Sequence, residues 1–331
     1  MTLREQNENI EKSILSCYAC LSTDDKMTLR DKPEEKCSYR TDFQRDRDRI
    51  LHCKAFRRLK RKTQVFLSPA GDHYRTRLTH TLEVSQIART ISRCMRLNED
   101  LTEAIALGHD LGHSPFGHCG EAVLNEICPY NFKHYLHSVR VAEVIENNGN
   151  GLNLTFAVKN GIECHTNRIA DTREGNIVRL ADTIAYINHD IDDSIRAGLL
   201  TENDLPKECT DILGNSKSKR ITRLVASVIA NGYDIIDFEP EIRAAHDKLK
   251  NFMFERVYTN YSAKHEDRKA ETLIRKLYSY FMENTEKLPE EYRNIMENSD
   301  ADRAVCDYIA GMTDKYAIDL YTEIFIPKSW K

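Results

Sequence analysis

The chain carries no basic excess. Its formal net charge is −4, which argues against a dedicated nucleic-acid binder, because such proteins concentrate surplus lysine and arginine. One local basic pocket stays compatible with that balance. No apolar run approaches the ~20 residues needed to span a bilayer, so no membrane partner is expected. The opening "MTLREQNENIEK" has no apolar h-region, and no secretory signal is expected. There is no internal repeat and no low-complexity tract. The ten cysteines are scattered without a disulfide-like framework, which suits reduced thiols in a cytoplasm. Cys17 and Cys20 form one CxxC, but no second CxxC accompanies it and no βαβ context surrounds it. Small buried thiols on a helix are therefore expected rather than half a zinc or redox site.

What is present is a globular composition. The 331 residues are 40% hydrophobic and 30% charged, enough to bury a core without disulfides or structural metal. Apolar periodicity predicts a mostly helical chain. "LTHTLEVSQIARTISRCM" sets Leu82, Ile87, Ile91 and Met95 near helical spacing. "NEDLTEAIALGHDLGH" opens with Asn98 as an N-cap and should end near His109 and Asp110, where Gly112 and Pro115 break it. Glu121–Cys128 reads as a short helix. "HYLHSVRVAEVIE" is another, closed by Asn148-Gly149. "GNIVRLADTIAYINHDIDDSIRAG" is a long one, stopped at Gly198. Further amphipathic segments run from Lys217 to the end. "TQVFL", Ser68–Asp72 and "HYRTR" together read as a β-hairpin. The polar segment Glu202–Lys219 is the best internal boundary, though not one that requires independent domains. The expectation is a single all-α unit over 1–331, with a metal-binding core over 40–200 and a C-terminal helical part over 215–331.

The stretch "LGHDLGHSPFGHCGE", Leu107–Glu121, crowds His109, Asp110, His113, His118 and Glu121 among helix breakers. His109 and Asp110 are neighbours on a helix, about 100° apart, and can converge on one ion without completing its shell. A catalytic metal needs ligands from other elements and open positions. His80 and Asp182 are the best candidates. Such a mixed nitrogen and oxygen set suits Mn, Fe, Co, Ni, Zn or Mg. His109 and His113 stand at i and i+4, as in an HExxH zinc site, but Asp110 replaces the glutamate and Gly112 and Pro115 undercut the helix.

"RTRLTHTLEV", "GHDLGHSPFGHCGE" and "VRLADTIAYINHDIDD" resemble the HD-domain superfamily, and within it bacterial deoxyguanosinetriphosphate triphosphohydrolase-like proteins. The resemblance is strong over Ser38–Gly198 and weaker beyond. It implies an all-α HD-domain fold with a small hairpin insertion. It also implies metal-dependent hydrolysis of dGTP or other deoxynucleoside triphosphates to deoxynucleoside and inorganic triphosphate. By this resemblance His80, His109, Asp110 and Asp182 hold the metal. His118, Glu121 and His134 are catalytic, with Glu121 orienting His118 at i+3, and His118 acts as general acid or as nucleophile. Tyr135 and His137 stand where relatives usually carry Asn and Gln. Gly117 and Gly120 would let backbone approach a phosphate.

For substrate, the resemblance points to Arg77 for phosphate and Gln64, Tyr186 and Asp190 for the sugar, with Tyr186 excluding a 2′-hydroxyl. Lys250 and Tyr258 match a triphosphate and a base or sugar contact. Asp182, Tyr186 and Asp190 share one helix face. The run "KAFRRLKRK", Lys54–Lys62, reads as a solvated face that could also meet an anion or a neighbouring subunit. Relatives are commonly homo-oligomers. The alternatives are an HD phosphohydrolase for a monophosphate, cyclic or alarmone nucleotide, and a nucleotide-binding regulator with little turnover.

Overall fold

The computed structural model describes residues 1–64, 75–258 and 261–328, without the side chains of Tyr258 and residues 261–265. Its principal helices are α1 (Leu3–Ile14), α2 (Asp42–His52), α3 (Arg77–Cys94), α4 (Glu99–Gly108), α5 (Gly117–Ile127), α6 (His134–Arg140) and α7 (Phe156–Cys164). They continue as α8 (Arg173–Arg196), α9 (Lys217–Asn231), α10 (Pro240–Met253), α11 (Tyr261–Glu283), α12 (Ala301–Ala310) and α13 (Asp314–Phe325). The fold is all-α, as the periodicity predicts. Among the described residues the β structure is one isolated antiparallel bridge, Thr63 to Thr76. That bridge lies at the base of the expected hairpin, whose remainder over 65–74 falls outside the described residues.

Two compact units each draw on three stretches of chain. The first comprises Met1–Leu51, Thr79–His109 and Asn153–Asn260. The second comprises His52–Leu78, Asp110–Leu152 and Tyr261–Lys331. One of the three passages from the first unit to the second is the peptide joining His109 to Asp110.

In the first unit α8 packs on α4 and α7. Leu101, Ile105, Ile162, Ile177 and Ile184 are fully buried there, each such side chain contributing ~1.5–3 kcal/mol. Asn98 caps α4, its side chain accepting from Leu101 N–H, with Glu99 and Asp100 in the first turn. The helix stops at Gly108, leaving His109 as its C-cap. On α3 the buried stripe is Val84, Ile87, Ala88, Ile91 and Met95, whereas Leu82 is 51% exposed. Leu82 thus belongs to the outer face, since the stripe follows i, i+3, i+4 from Val84.

In the second unit α5 packs on α11, and α11 on α12 and α13, around the buried Leu124, Ile274, Leu277, Val305 and Ile309. α5 begins at Gly117, four residues before the expected start, because Phe116 adopts a left-handed conformation (φ 62°, ψ 26°) that turns the chain there. The helix after His134 closes in left-handed Asn147 and Asn148. Cys17 and Cys20 follow the end of α1 rather than lying on a helix, and Cys17 is exposed. All ten cysteines are free thiols.

Candidate active site

The first unit gathers imidazoles around Asp182. His80, on the second turn of α3, places Nε2 3.0 Å from Asp182 Oδ1, and His109 Nε2 lies 3.9 Å from the same oxygen. Both histidines are buried. His109 Nδ1 sits 2.7 Å from the Ala106 carbonyl, which calls for a proton on Nδ1 and directs the Nε2 lone pair toward Asp182. A lone pair and a carboxylate oxygen facing each other make a cation site. Burial works against charge on Asp182, but the hydrogen bond from His80 and the neighbouring imidazoles outweigh it and hold its pKa at about 2. The donor set therefore fits a divalent ion with mixed nitrogen and oxygen preference. Asp110, the next residue after His109 along the chain, is itself buried.

The second unit holds a cluster of its own residues. Arg77 Nη1 donates to Asp110 Oδ2 at 2.7 Å, both groups being buried. His113 stacks on His134 with ring centroids 4.9 Å apart and meets His118 edge-on at 5.9 Å. Glu121 bonds His134 twice, through Nδ1 at 2.9 Å and the backbone N–H at 3.2 Å. The hydrogen bonds of Glu121 thus go to His134, while its carboxylate also lies within 4.8 Å of a His118 ring nitrogen. The loop between α5 and α6 folds back so that the first residue of α6 meets the second turn of α5.

These contacts separate the imidazoles electrically. Burial opposes charge on His134, but Glu121 outweighs it and raises the pKa. Burial likewise pushes Glu121 up, and the His134 hydrogen bond reverses that and lowers it. The two groups make a charged pair. His113 is pushed well down by burial and then by the Arg77 guanidinium. His118 presents an exposed imidazole, yet its dense surroundings and then Arg77 lower its pKa. Tyr135 covers an edge of His134 at 5.7 Å. His137 turns instead toward Asp307, 3.7 Å away.

The glycines divide in role. Gly117 has φ +59°, and an added Cβ would meet Arg77 Nη2 and the Gln64 carbonyl oxygen at 3.7 Å, ordinary contact, so the left-handed backbone rather than lack of space calls for glycine there. At Gly120 a Cβ would lie 2.0 Å from the Pro115 carbonyl oxygen, so that glycine serves the turn rather than a phosphate. In the basic run, Lys54 pairs with Glu291 at 2.9 Å, Ala55, Phe56 and Leu59 are buried, and Lys62 is buried too.

The remaining expected residues lie on several elements. Gln64 and its neighbour Thr63 lie beside the bridge, and Gln64 Oε1 is buried with no hydrogen-bond partner among the described residues. On α8, Tyr186 is half-buried and Asp190 buried. Burial, then Asp182 and Asp190, raise the Tyr186 pKa, so its phenol stays protonated. Lys250 is exposed on α10, and the side chain of Tyr258 lies outside the described residues.

Three residues of the first unit escape the sequence pattern. His165 packs its ring 5.1 Å from His109. His189 meets His80 at 5.8 Å and places Nε2 3.0 Å from Glu83. Arg179 belongs to the one accessible stripe of central α8. Between Ile177 and Ile191 only Arg179, Asp182, Thr183 and Tyr186 keep accessible surface. Helical spacing from Asp182, three residues back to Arg179 and seven on to His189, carries a signal for two of them. Nothing local marks His165.

Comparison with known proteins matches residues 77–187 to the HD domain and residues 236–323 to the phosphohydrolase-associated domain. The chain is 55% identical over 333 residues to a deoxyguanosinetriphosphate triphosphohydrolase-like protein of Caldanaerobacter subterraneus subsp. tengcongensis, covering 100% of this chain and 98% of that one. A protein of the same name from Clostridium perfringens (strain 13 / Type A) is 51% identical, with 99% of each chain covered. Another from Bordetella pertussis is 39% identical over 86% of this chain and 90% of its own.

Proposed function

We infer, from the premise that the chain belongs to the deoxyguanosinetriphosphate triphosphohydrolase-like family of HD-domain proteins, that this metal-dependent phosphohydrolase cleaves deoxynucleoside triphosphates to deoxynucleoside and inorganic triphosphate. The observation that carries the reading is the second unit's cluster, in which Arg77, a charged His134–Glu121 pair and a neutral His118 lie together. An α-phosphate needs such a mixture of fixed positive charge, proton donor and proton acceptor.

The proposed ligands are His80, His109, Asp110 and Asp182. A divalent ion there, Mn, Mg, Fe, Co, Ni or Zn, supplies Lewis acidity at the α-phosphate. The chain's residues do the rest. Arg77 holds a non-bridging phosphate oxygen through the donors that Asp110 leaves available. Water forms a bond to the α-phosphorus and gives up a proton, the bond to the 5′-oxygen breaks, and that oxygen takes a proton. His134 carries one, kept there by Glu121, and general acid help of this kind is worth ~10²–10⁴-fold. The lowered His118 pKa supports a role as acceptor or nucleophile. Its exposure keeps the second reading, His118 as the acid, in play. Tyr186, Asp190 and Gln64 would select a deoxyribose with a free 3′-hydroxyl, and Lys250 and Tyr258 would reach the triphosphate and the base.

The HD core would occupy 40–200 and the C-terminal helical part 215–331. A cytoplasmic homo-oligomer is the working assembly we propose. No helix among the described residues is long and apolar enough to cross a membrane.

The test is incubation with each dNTP, NTP and 2′,3′-dideoxynucleotide plus Mn²⁺ or Mg²⁺, with products resolved by chromatography. Intact triphosphate from dNTPs alone supports the reading. Orthophosphate or pyrophosphate points to a phosphohydrolase for another nucleotide, and binding without turnover to a regulator.

A further inference from the structure

Phe116 is a buried, non-glycine residue held at φ 62°. With Gly117 at φ +59°, it forms two consecutive left-handed positions immediately before His118. Such a conformation persists in a bulky residue only when its surroundings over-determine it. The surroundings here come from the far end of the chain. Asp314 Oδ1 accepts the Phe116 N–H at 3.0 Å. Its other oxygen accepts from Thr63 twice, from the backbone N–H at 2.9 Å and from Oγ1 at 2.6 Å. Next to Thr63, the buried Lys62 donates Nζ to the carbonyls of His113 and Ala310, the latter at 2.9 Å. The turn from His113 to His118 is therefore tied at both ends, to the end of α12 and to the first residue of α13.

The same ties reach the segment that leads into Gln64. Lys62 O accepts the Arg77 N–H at 3.1 Å, and Gln64 follows Thr63 directly. Asp314 is buried, and among the described residues its hydrogen bonds go to Phe116 and Thr63. The N-cap of α13 is Thr313, whose side chain accepts from Tyr316 N–H, so Asp314 favours the helix only through its charge in the first turn while its oxygens accept from Phe116 and Thr63.

We propose that Asp314, with Lys62 as its companion, is a positioning residue that holds the left-handed Phe116–Gly117 turn so that His118 stands where catalysis needs it. The phosphohydrolase-associated segment then completes the catalytic turn rather than only covering it. This rests on the proposed function for the meaning of His118. The geometric half stands by itself.

The test uses the full chain with Asp314→Ala, Asp314→Asn and Lys62→Met, each checked for melting temperature and metal content. Misplacing a reacting group by about an ångström costs on the order of 10²-fold. Asp314→Ala should lower kcat about 30- to 100-fold with KM changed less than about threefold and metal content intact. Asp314→Asn keeps one oxygen for the Phe116 N–H and should lose only several-fold, a partial rescue that a general loss of stability does not produce. Lys62→Met should fall between them. In parallel, the His118 imidazole is titrated by NMR in wild type and Asp314→Asn, without nucleotide. A shifted His118 titration supports the clamp even if no dNTP is hydrolysed, which separates failure of the functional reading from failure of this one. Should Asp314→Ala not fold, Asp314→Asn decides. Unchanged kcat and an unchanged His118 titration in folded Asp314→Asn would overturn the proposal.

Discussion

In the second unit Nδ1 of His134 lies 2.9 Å from Oε2 of Glu121, and this contact decides which imidazole of the cluster carries a proton. The pair raises His134 and lowers Glu121, so His134 stays protonated to higher pH than a free imidazole. Glu121→Gln removes the opposing charge and should let the proton leave earlier. The alkaline limb of the kcat–pH profile should move to lower pH by about one unit, the scale of a lost neighbouring charge. Metal content should not change. A profile that keeps its alkaline limb in the mutant would mean that His134 is not the proton donor.

Metal binding is best tested at two carboxylates, because they differ in what else they hold. Asp110 also neutralises the buried Arg77, and breaking a buried pair from one side costs roughly 3–5 kcal/mol. Among the described residues Asp182 contacts His80 and His109 and pairs with no arginine. Both Asp110→Ala and Asp182→Ala should lose bound metal and activity by elemental analysis and assay. Asp110→Ala alone should also lose several degrees of melting temperature. Full metal occupancy in Asp182→Ala would remove it from the ligand set.

The helices were legible where apolar spacing is regular and capped, as from Asn98 to Gly108. Leu82 misled because a single leucine fits two overlapping stripes, and only packing chooses between them. Within the candidate site, His80 and His109 stood out as imidazoles near helix ends, and Asp182 as a carboxylate within a long, otherwise apolar-patterned helix, because such groups are unusual in a core. The Glu121–His134 contact was hidden because the intervening loop, not helical spacing, brings the two together. The left-handed Phe116 was hidden for a different reason: an aromatic residue gives no local sign of positive φ. Its anchor, Asp314, lies 198 residues away along the chain.

A pH dependence of stability should come from Glu174. Its carboxylate is fully buried, and Oε1 accepts the backbone N–H groups of Cys20 and Asn98, both at 3.0 Å. Burial raises its pKa to about 7, against the effect of those N–H donors. A carboxyl raised in the folded state favours folding below its unfolded pKa, and that contribution is lost as pH rises through the folded one. Stability should therefore fall by roughly 3 kcal/mol between about pH 4.5 and pH 7 on account of this group alone. Glu174→Gln keeps an oxygen for both N–H groups and cannot ionise. Urea unfolding of the mutant should show a flatter profile across that window and greater relative stability at pH 8. Parallel wild-type and mutant curves would assign the acid to another residue.

Arg179 is the group on α8 most in need of an anion. It shares the accessible stripe with Asp182 and Tyr186. Its Nε is buried without a hydrogen-bond partner among the described residues, and burial lowers its pKa with no carboxylate offsetting the effect. Arginines taken from water are normally paired, since an unpaired buried charge is expensive. The proposed triphosphate substrate would supply the missing oxygens in a geometry the guanidinium fork accepts bidentately. Hydrogen bonds to charged groups contribute about 1.5–3 kcal/mol, so Arg179→Ala should raise KM roughly 10- to 100-fold while kcat changes little. Arg179→Lys keeps the charge without the fork and should recover only part of the affinity. The direct readout is inhibition by inorganic triphosphate, which tests the phosphate contact without a base or sugar. Inhibition should weaken in both mutants, and more in Arg179→Ala. Equal inhibition in wild type and Arg179→Ala would leave this guanidinium with a purely structural role in the stripe, and the triphosphate would have to be held elsewhere.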